Sequence, residues 1–194
     1  MKKSDDEFKA IVNAAWKNDL ETIRIMVANG FDLATTNQYG ESVLDEAIFN
    51  LSVYDDMASY RFDVVKLLLE LGANPNQRDA DGFGSLTQPV LTMDTKLIKI
   101  LLDVGARPND FSGFHGGTLY DWANIDYQIE IWHVNKFPEK PSAELLADSE
   151  DAWLNWMDEM AVKYQRRRPD YLFLLREHGA RTSAELATKL EGKK

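Results

Sequence analysis

Two stretches of this chain repeat almost the same phrase: Val64-Val65-Lys66-Leu67-Leu68-Leu69-Glu70-Leu71-Gly72-Ala73-Asn74-Pro75-Asn76 and Leu97-Ile98-Lys99-Ile100-Leu101-Leu102-Asp103-Val104-Gly105-Ala106-Arg107-Pro108-Asn109. Their glycines lie 33 residues apart. A period of this length marks a supersecondary unit that cannot bury its apolar face alone, so the chain is expected to stack units along a line. Such an object usually offers a binding surface. Val64, Val65, Leu68 and Leu69 recur at helical spacing, which predicts a short amphipathic helix, and Gly72 supplies the left-handed residue that ends it. Asn74-Pro75-Asn76 then turns the chain, and Asp79-Ala80-Asp81-Gly82 is turn chemistry again.

The phrase recurs in weaker form at Asp19-Leu20-Glu21-Thr22-Ile23-Arg24-Ile25-Met26-Val27-Ala28-Asn29-Gly30 and at Asp170-Tyr171-Leu172-Phe173-Leu174-Leu175-Arg176-Glu177-His178-Gly179-Ala180. Upstream of the helix phrase, Asn37-Gln38-Tyr39-Gly40-Glu41-Ser42-Val43-Leu44-Asp45-Glu46-Ala47 and Gly116-Gly117-Thr118-Leu119-Tyr120-Asp121-Trp122-Ala123 open two of the units in a similar way. Together these residues resemble the ankyrin repeat, whose unit is a finger-like turn, an inner helix and an outer helix ending in a Leu-Leu-x-x-Gly-Ala phrase. The resemblance implies an all-α fold: a short solenoid of about four helix-pair repeats with a helical insertion in the last repeat and a C-terminal capping helix. Gly82-Phe83-Gly84-Ser85-Leu86-Thr87-Gln88-Pro89 is the poorest match, and its proline predicts an inner helix that starts late or bends.

Glycine spacing locates the interruptions. Gly30 to Gly72 spans 42 residues and Gly105 to Gly179 spans 74, so both intervals exceed the period. One domain over residues 1–194 is expected, with repeats at 5–36, 37–77 (insertion 50–62), 78–109 and 110–181 (insertion 125–169), and a cap over 182–194. Inside the longer insertion, Ser149-Glu150-Asp151 predicts a helix start, and Trp153, Trp156, Met160 and Tyr164 follow at helical spacing. Thr182-Ser183-Ala184-Glu185 has the spacing of a capping box.

At 194 residues the chain is long enough for one continuous core without staples, and it has no cysteine for a disulfide, a thiolate nucleophile or a thiolate-bound metal. Its net charge of −10 disfavours a nucleic-acid binder. Neither a leader-like apolar region nor a run long enough to span a membrane is read, so a soluble cytoplasmic protein is expected. His115, His133 and His178 are scattered, and none has a second ligand at metal-site spacing. The glycine cluster around Gly116 lacks the ending of a phosphate loop, and no nucleophile elbow is present. No enzyme, cofactor or metal is therefore expected.

The resemblance further implies that fingers and inner helices form a concave palm. Carried onto this chain, partner contacts are expected from Gln38, Tyr39, Glu41, Asp81, Phe83, Phe114 and His115 in the fingers, and from Glu46, Phe49 and Trp122 on inner helices. The insertion between Asp126 and Gln165 holds nine acidic residues against three lysines, which adds Asp148, Glu150, Asp151, Asp158 and Glu159 as a second candidate surface. The expected partner is another protein with a basic surface, met by a chain that is monomeric when free. Small acidic ankyrin proteins of this irregular kind resemble bacterial immunity or antitoxin proteins that neutralise a cognate toxin. An adaptor or effector role is the alternative, and an enzyme site built by the 125–169 insertion is a third reading.

Overall fold

The repeated glycine is the point from which each unit is built. Gly30, Gly72, Gly105 and Gly179 all have positive φ, between 88° and 99°. At each, the glycine amide bonds back three residues and the following amide bonds back five, as in Gly72 N to Leu69 O (3.1 Å) and Ala73 N to Leu68 O (2.9 Å). This closes the last turn of an outer helix and satisfies carbonyls that would otherwise be orphaned.

The computed structural model describes residues 2–53, 61–109, 117–130 and 137–191. In chain order the helices are α1 (Lys2–Trp16), α2 (Leu20–Ala28), α3 (Val43–Val53), α4 (Arg61–Glu70), α5 (Thr87–Leu91), α6 (Thr95–Asp103), α7 (Leu119–Ile129), α8 (Ala143–Leu146), α9 (Glu150–Lys163), α10 (Asp170–Glu177) and α11 (Ser183–Glu191). No strand occurs among the described residues; two isolated antiparallel bridges, Thr36 with Ser42 and Arg78 with Gly84, close two fingers. Four helix pairs follow, α1 with α2, α3 with α4, α5 with α6 and α7 with α10, and the inner helices stack in the order α1, α3, α5, α7.

Asparagine in the repeated phrase ties one unit to the next. Asn76 donates to Gly105 O (3.0 Å) and accepts from Arg107 N (2.8 Å), and Asn109 does the same with Gly179 O (2.8 Å) and Arg181 N (2.7 Å). The amide group thus caps the turn of the following unit from outside. Fingers are coupled too: Ala80 N donates to Tyr39 O at 2.8 Å, so close that a Cβ on Gly40 would lie 2.7 Å from Ala80 N. Gly40 is required there by that approach as well as by its φ of 84°.

The third inner helix starts late, as the proline predicted: α5 begins three residues after Gly84, where α3 begins one residue after Ser42. Pro89 sits in the first turn of α5, where amides have no intrahelical acceptor and its missing N–H costs nothing. Met93 and Asn18, both with positive φ, turn the chain directly into Asp94 and Asp19, whose carboxylates cap α6 and α2. α3 runs on to Val53 and α7 to Ile129, into the stretches expected as insertions. The expected helix start at Ser149 is present, with its hydroxyl accepting from Ala152 N, and the capping box at Thr182 and Glu185 forms through both of its bonds.

α9 packs on two flanks. Leu154, Met157 and Ala161 are buried, while Trp153 stacks on Trp156 with centroids 5.2 Å apart and Phe137 meets Trp156 edge-on at 6.0 Å. Arg176 fastens this insertion to the array. Its guanidinium reaches Asp151 and Glu185 (2.6 Å), donates to Ala180 O and lies over the Tyr120 ring at 5.3 Å. The aromatic stripe thus packs against the core, with Met160 buried and Trp153, Trp156 and Tyr164 partly so.

One apolar cluster runs through all four pairs and includes Ile23, Leu68, Leu101 and Leu172, each fully buried. Leu68→Ala or Leu101→Ala should cost about 2–5 kcal/mol in denaturant unfolding, because the stacked neighbours cannot collapse into the cavity. An unchanged unfolding midpoint for either variant would contradict the stacking register.

Candidate functional site

The helix starts that build each unit also aim its polar groups. Ser42 and Thr118 occupy the same place before α3 and α7, and each exchanges hydrogen bonds with the aspartate three residues on, Asp45 and Asp121. The same aspartates reach other elements, Asp45 accepting from Ser85 Oγ and Asp121 from Ser183 N, and Glu46, Phe49 and Trp122 of α3 and α7 line the palm. Two open grooves lie there. One, of about 620 Å³, runs between α1 and the first finger, lined by Trp16, Tyr39 and Glu46 among others. The other, of about 440 Å³, lies between α3, α5, α7 and the next finger, lined by Glu41, Asp45, Phe49, Asp81, Phe83 and Trp122 among others.

Carboxylates crowd this face. Asn37 Nδ2 donates to both Glu41 (2.6 Å) and Glu46 (3.0 Å), drawing the two together. Asp45 accepts from Ser42 and, across the unit boundary, from Ser85. Asp79 accepts from the amides of Asp81 and Phe83, which shapes the second finger. No described lysine or arginine is paired with Glu41, Asp45, Glu46, Asp79 or Asp81. Burial raises the Asp45 carboxyl above its ordinary range, against the opposing serine bonds, and Asp79 adds to the rise. Glu46 moves the same way, through burial first and then the Glu41 and Asp45 charges, with Asn37 opposing.

The insertion is arranged differently. Arg168 holds Asp158 with two bonds (2.7 and 2.9 Å), Arg176 holds Asp151, and Lys163 and Tyr164 hold Glu139. Glu150 is half-buried and accepts from Tyr120 Oη (3.1 Å) and Asn124 Nδ2 (2.7 Å), fixing the start of α9 to α7. Asp148 and Glu159 are exposed, and Asp148 accepts from Ser149 N. Among the expected contacts, then, Gln38, Tyr39, Glu41, Glu46, Phe49, Asp81, Phe83 and Trp122 gather on the palm. Glu150, Asp151 and Asp158 are occupied by internal partners. Phe114 and His115 lie outside the described residues. His178 uses Nδ1 on Leu174 O (3.0 Å) at the end of α10, in keeping with a structural role.

Two palm residues escaped the sequence reading. Leu91 of α5 and Ile125 of α7 stand where Phe49 stands in α3, seven residues after Gly84, Thr118 and Ser42 respectively, and Trp16 ends α1 at the corresponding point. All four are exposed, at 41% for Trp16, 56% for Phe49, 40% for Leu91 and 55% for Ile125. Counting from the start of each inner helix would have found them.

Raised carboxyl pKa values carry a definite sign for stability. The folded state binds the Asp45 proton more tightly than the unfolded chain does, so this contribution is full below about pH 4 and is lost as pH rises through the raised pKa. Unfolding measured between pH 3 and neutrality should show wild type falling relative to Asp45→Asn over that window. A pH-independent difference would contradict the strained carboxylate.

Among the described residues no group of three or more histidine or acidic side chains converges to hold a metal ion, and no helix is long and apolar enough to cross a membrane. No curated protein matches the chain at significance. The family model of the ankyrin repeat matches residues 39–80, the finger at Tyr39-Gly40 through α3 and α4 to the next finger. That match lies on one of the helix pairs that the stack repeats, so the chain carries an ankyrin repeat over those residues.

Proposed function

We propose that this chain is a non-catalytic protein-binding module whose palm grips a partner with a basic surface. The observation that carries the reading is the contrast between two acidic regions: Glu139, Asp151 and Asp158 of the insertion are ion-paired with a lysine and arginines inside the molecule, whereas Glu41, Asp45, Glu46, Asp79 and Asp81 around α3 and the second finger line the grooves with no described ion pair. A cationic partner would relieve the mutual repulsion there, and rings such as Tyr39 and Phe49 supply apolar contact and cation–π faces beside the charge. In its finer form, the reading is of an immunity or antitoxin-type protein that neutralises a cationic toxin by covering it. An adaptor or effector that uses the same palm on another cellular protein is the alternative.

Immobilised chain exposed to native lysate should retain a basic protein at low salt and release it near 1 M salt, where the screening length falls to about 3 Å. Phe49→Ser or Asp81→Asn should lower retention several-fold, and Glu159→Gln should not. Retention indifferent to salt and to both palm variants would overturn the reading.

A further inference from the structure

The palm carries two parallel rows of different character. Trp16, Phe49, Leu91 and Ile125 form one row, with one large apolar side chain from each successive inner helix, all standing substantially out of the core. Alongside, on the finger side, Glu41, Glu46, Asp79 and Asp81 form an acidic row over the two central units. The grooves of about 620 and 440 Å³ open on either side of α3, between the ridges of the apolar row.

We propose that the partner element seated on this palm is an amphipathic, cationic α-helix laid across the inner helices, with an apolar stripe on the Trp16–Phe49–Leu91–Ile125 row and lysines or arginines along its finger-side edge.

Three matches support a helix. Packed helices lie about 8–10 Å apart, and seven residues of a helix rise about 10 Å, so one apolar anchor per heptad keeps step with one unit of the array. Four units then span about 30 Å, the length of about 20 helical residues. An extended chain, by contrast, sends successive side chains to opposite faces, so it can offer this surface only one row and would turn the other to solvent. A helix presents an apolar stripe and a flanking charged edge to the same surface. Charge selects the sign: four carboxylates of the acidic row, none of them ion-paired with a described lysine or arginine, outnumber Lys9, the one described cation lining the two grooves, and cations on the partner would balance them.

The inference rests on the palm reading above, and its test separates the two. Three fluorescent 21-residue peptides serve as probes: a Leu/Lys peptide with leucine at helical heptad positions, an isomer of the same composition with its leucines alternating, and a Leu/Glu version of the heptad peptide. Anisotropy titration of the full chain should show the Leu/Lys heptad peptide binding at least tenfold more tightly than either of the others. Phe49→Ser and Leu91→Ser should each weaken it at least fivefold; both side chains are well exposed, so the variants should melt like wild type. Equal or tighter binding of the alternating isomer, still weakened by Phe49→Ser, overturns the helix and leaves the palm standing. Equal binding of the Leu/Glu peptide overturns the charge assignment. Affinities unmoved by Phe49→Ser, Leu91→Ser and Asp81→Asn together, or no binding of any peptide into the millimolar range, overturn the proposal; in the first of these cases the palm reading falls with it.

Discussion

The side-chain amides of Asn76 and Asn109 hold the last three units of the array in step. Each reaches across a unit boundary, donating to a glycine carbonyl and accepting from an amide two residues later, so the turn of the next unit is closed by a group from the previous one. Two bonds to one planar amide set both distance and orientation. The buried leucines supply the larger share of the stabilisation, but apolar contact is non-directional and does not by itself choose a register. With the register fixed, inner helices present equivalent positions to the same face, and four unrelated side chains become one row.

Charge divides the molecule into two regimes. In the insertion, several carboxylates serve architecture: Asp151 meets Arg176, which also holds Glu185 of α11, Asp158 is held by Arg168, and Glu150 anchors α9 through Tyr120 and Asn124. Arg176 is largely buried, so removing both Asp151 and Glu185 would leave its charge without compensation. On the palm, serine and asparagine satisfy hydrogen bonds of the carboxylates but cannot neutralise them. Burial raises the carboxyl pKa of Asp45 and Glu46 there, and Glu150 in the insertion moves the same way for the same first cause.

Much of the fold was legible because the same local rules recur. Gly72 and Gly105 announced the helix ends, Pro89 the late start of α5, and Ser149 and Thr182 the starts of α9 and α11. The candidate site was legible in part. Tyr39, Glu41 and Phe49 followed from the resemblance, but Leu91 and Ile125 did not, because an apolar residue in a helix reads as core unless its register against the other units is counted. Acidic density in the insertion pointed to a second surface, and composition could not show that Arg168 and Arg176, distant in sequence, return to meet those carboxylates.

The most direct measurement is hydrogen exchange of the chain, read by mass spectrometry, with and without its bound partner. Slowed exchange concentrated in residues 37–50 and 79–92, with 143–163 unchanged, is the result predicted for a palm-bound partner. Protection confined to 143–163, with the fingers exchanging as before, would contradict it.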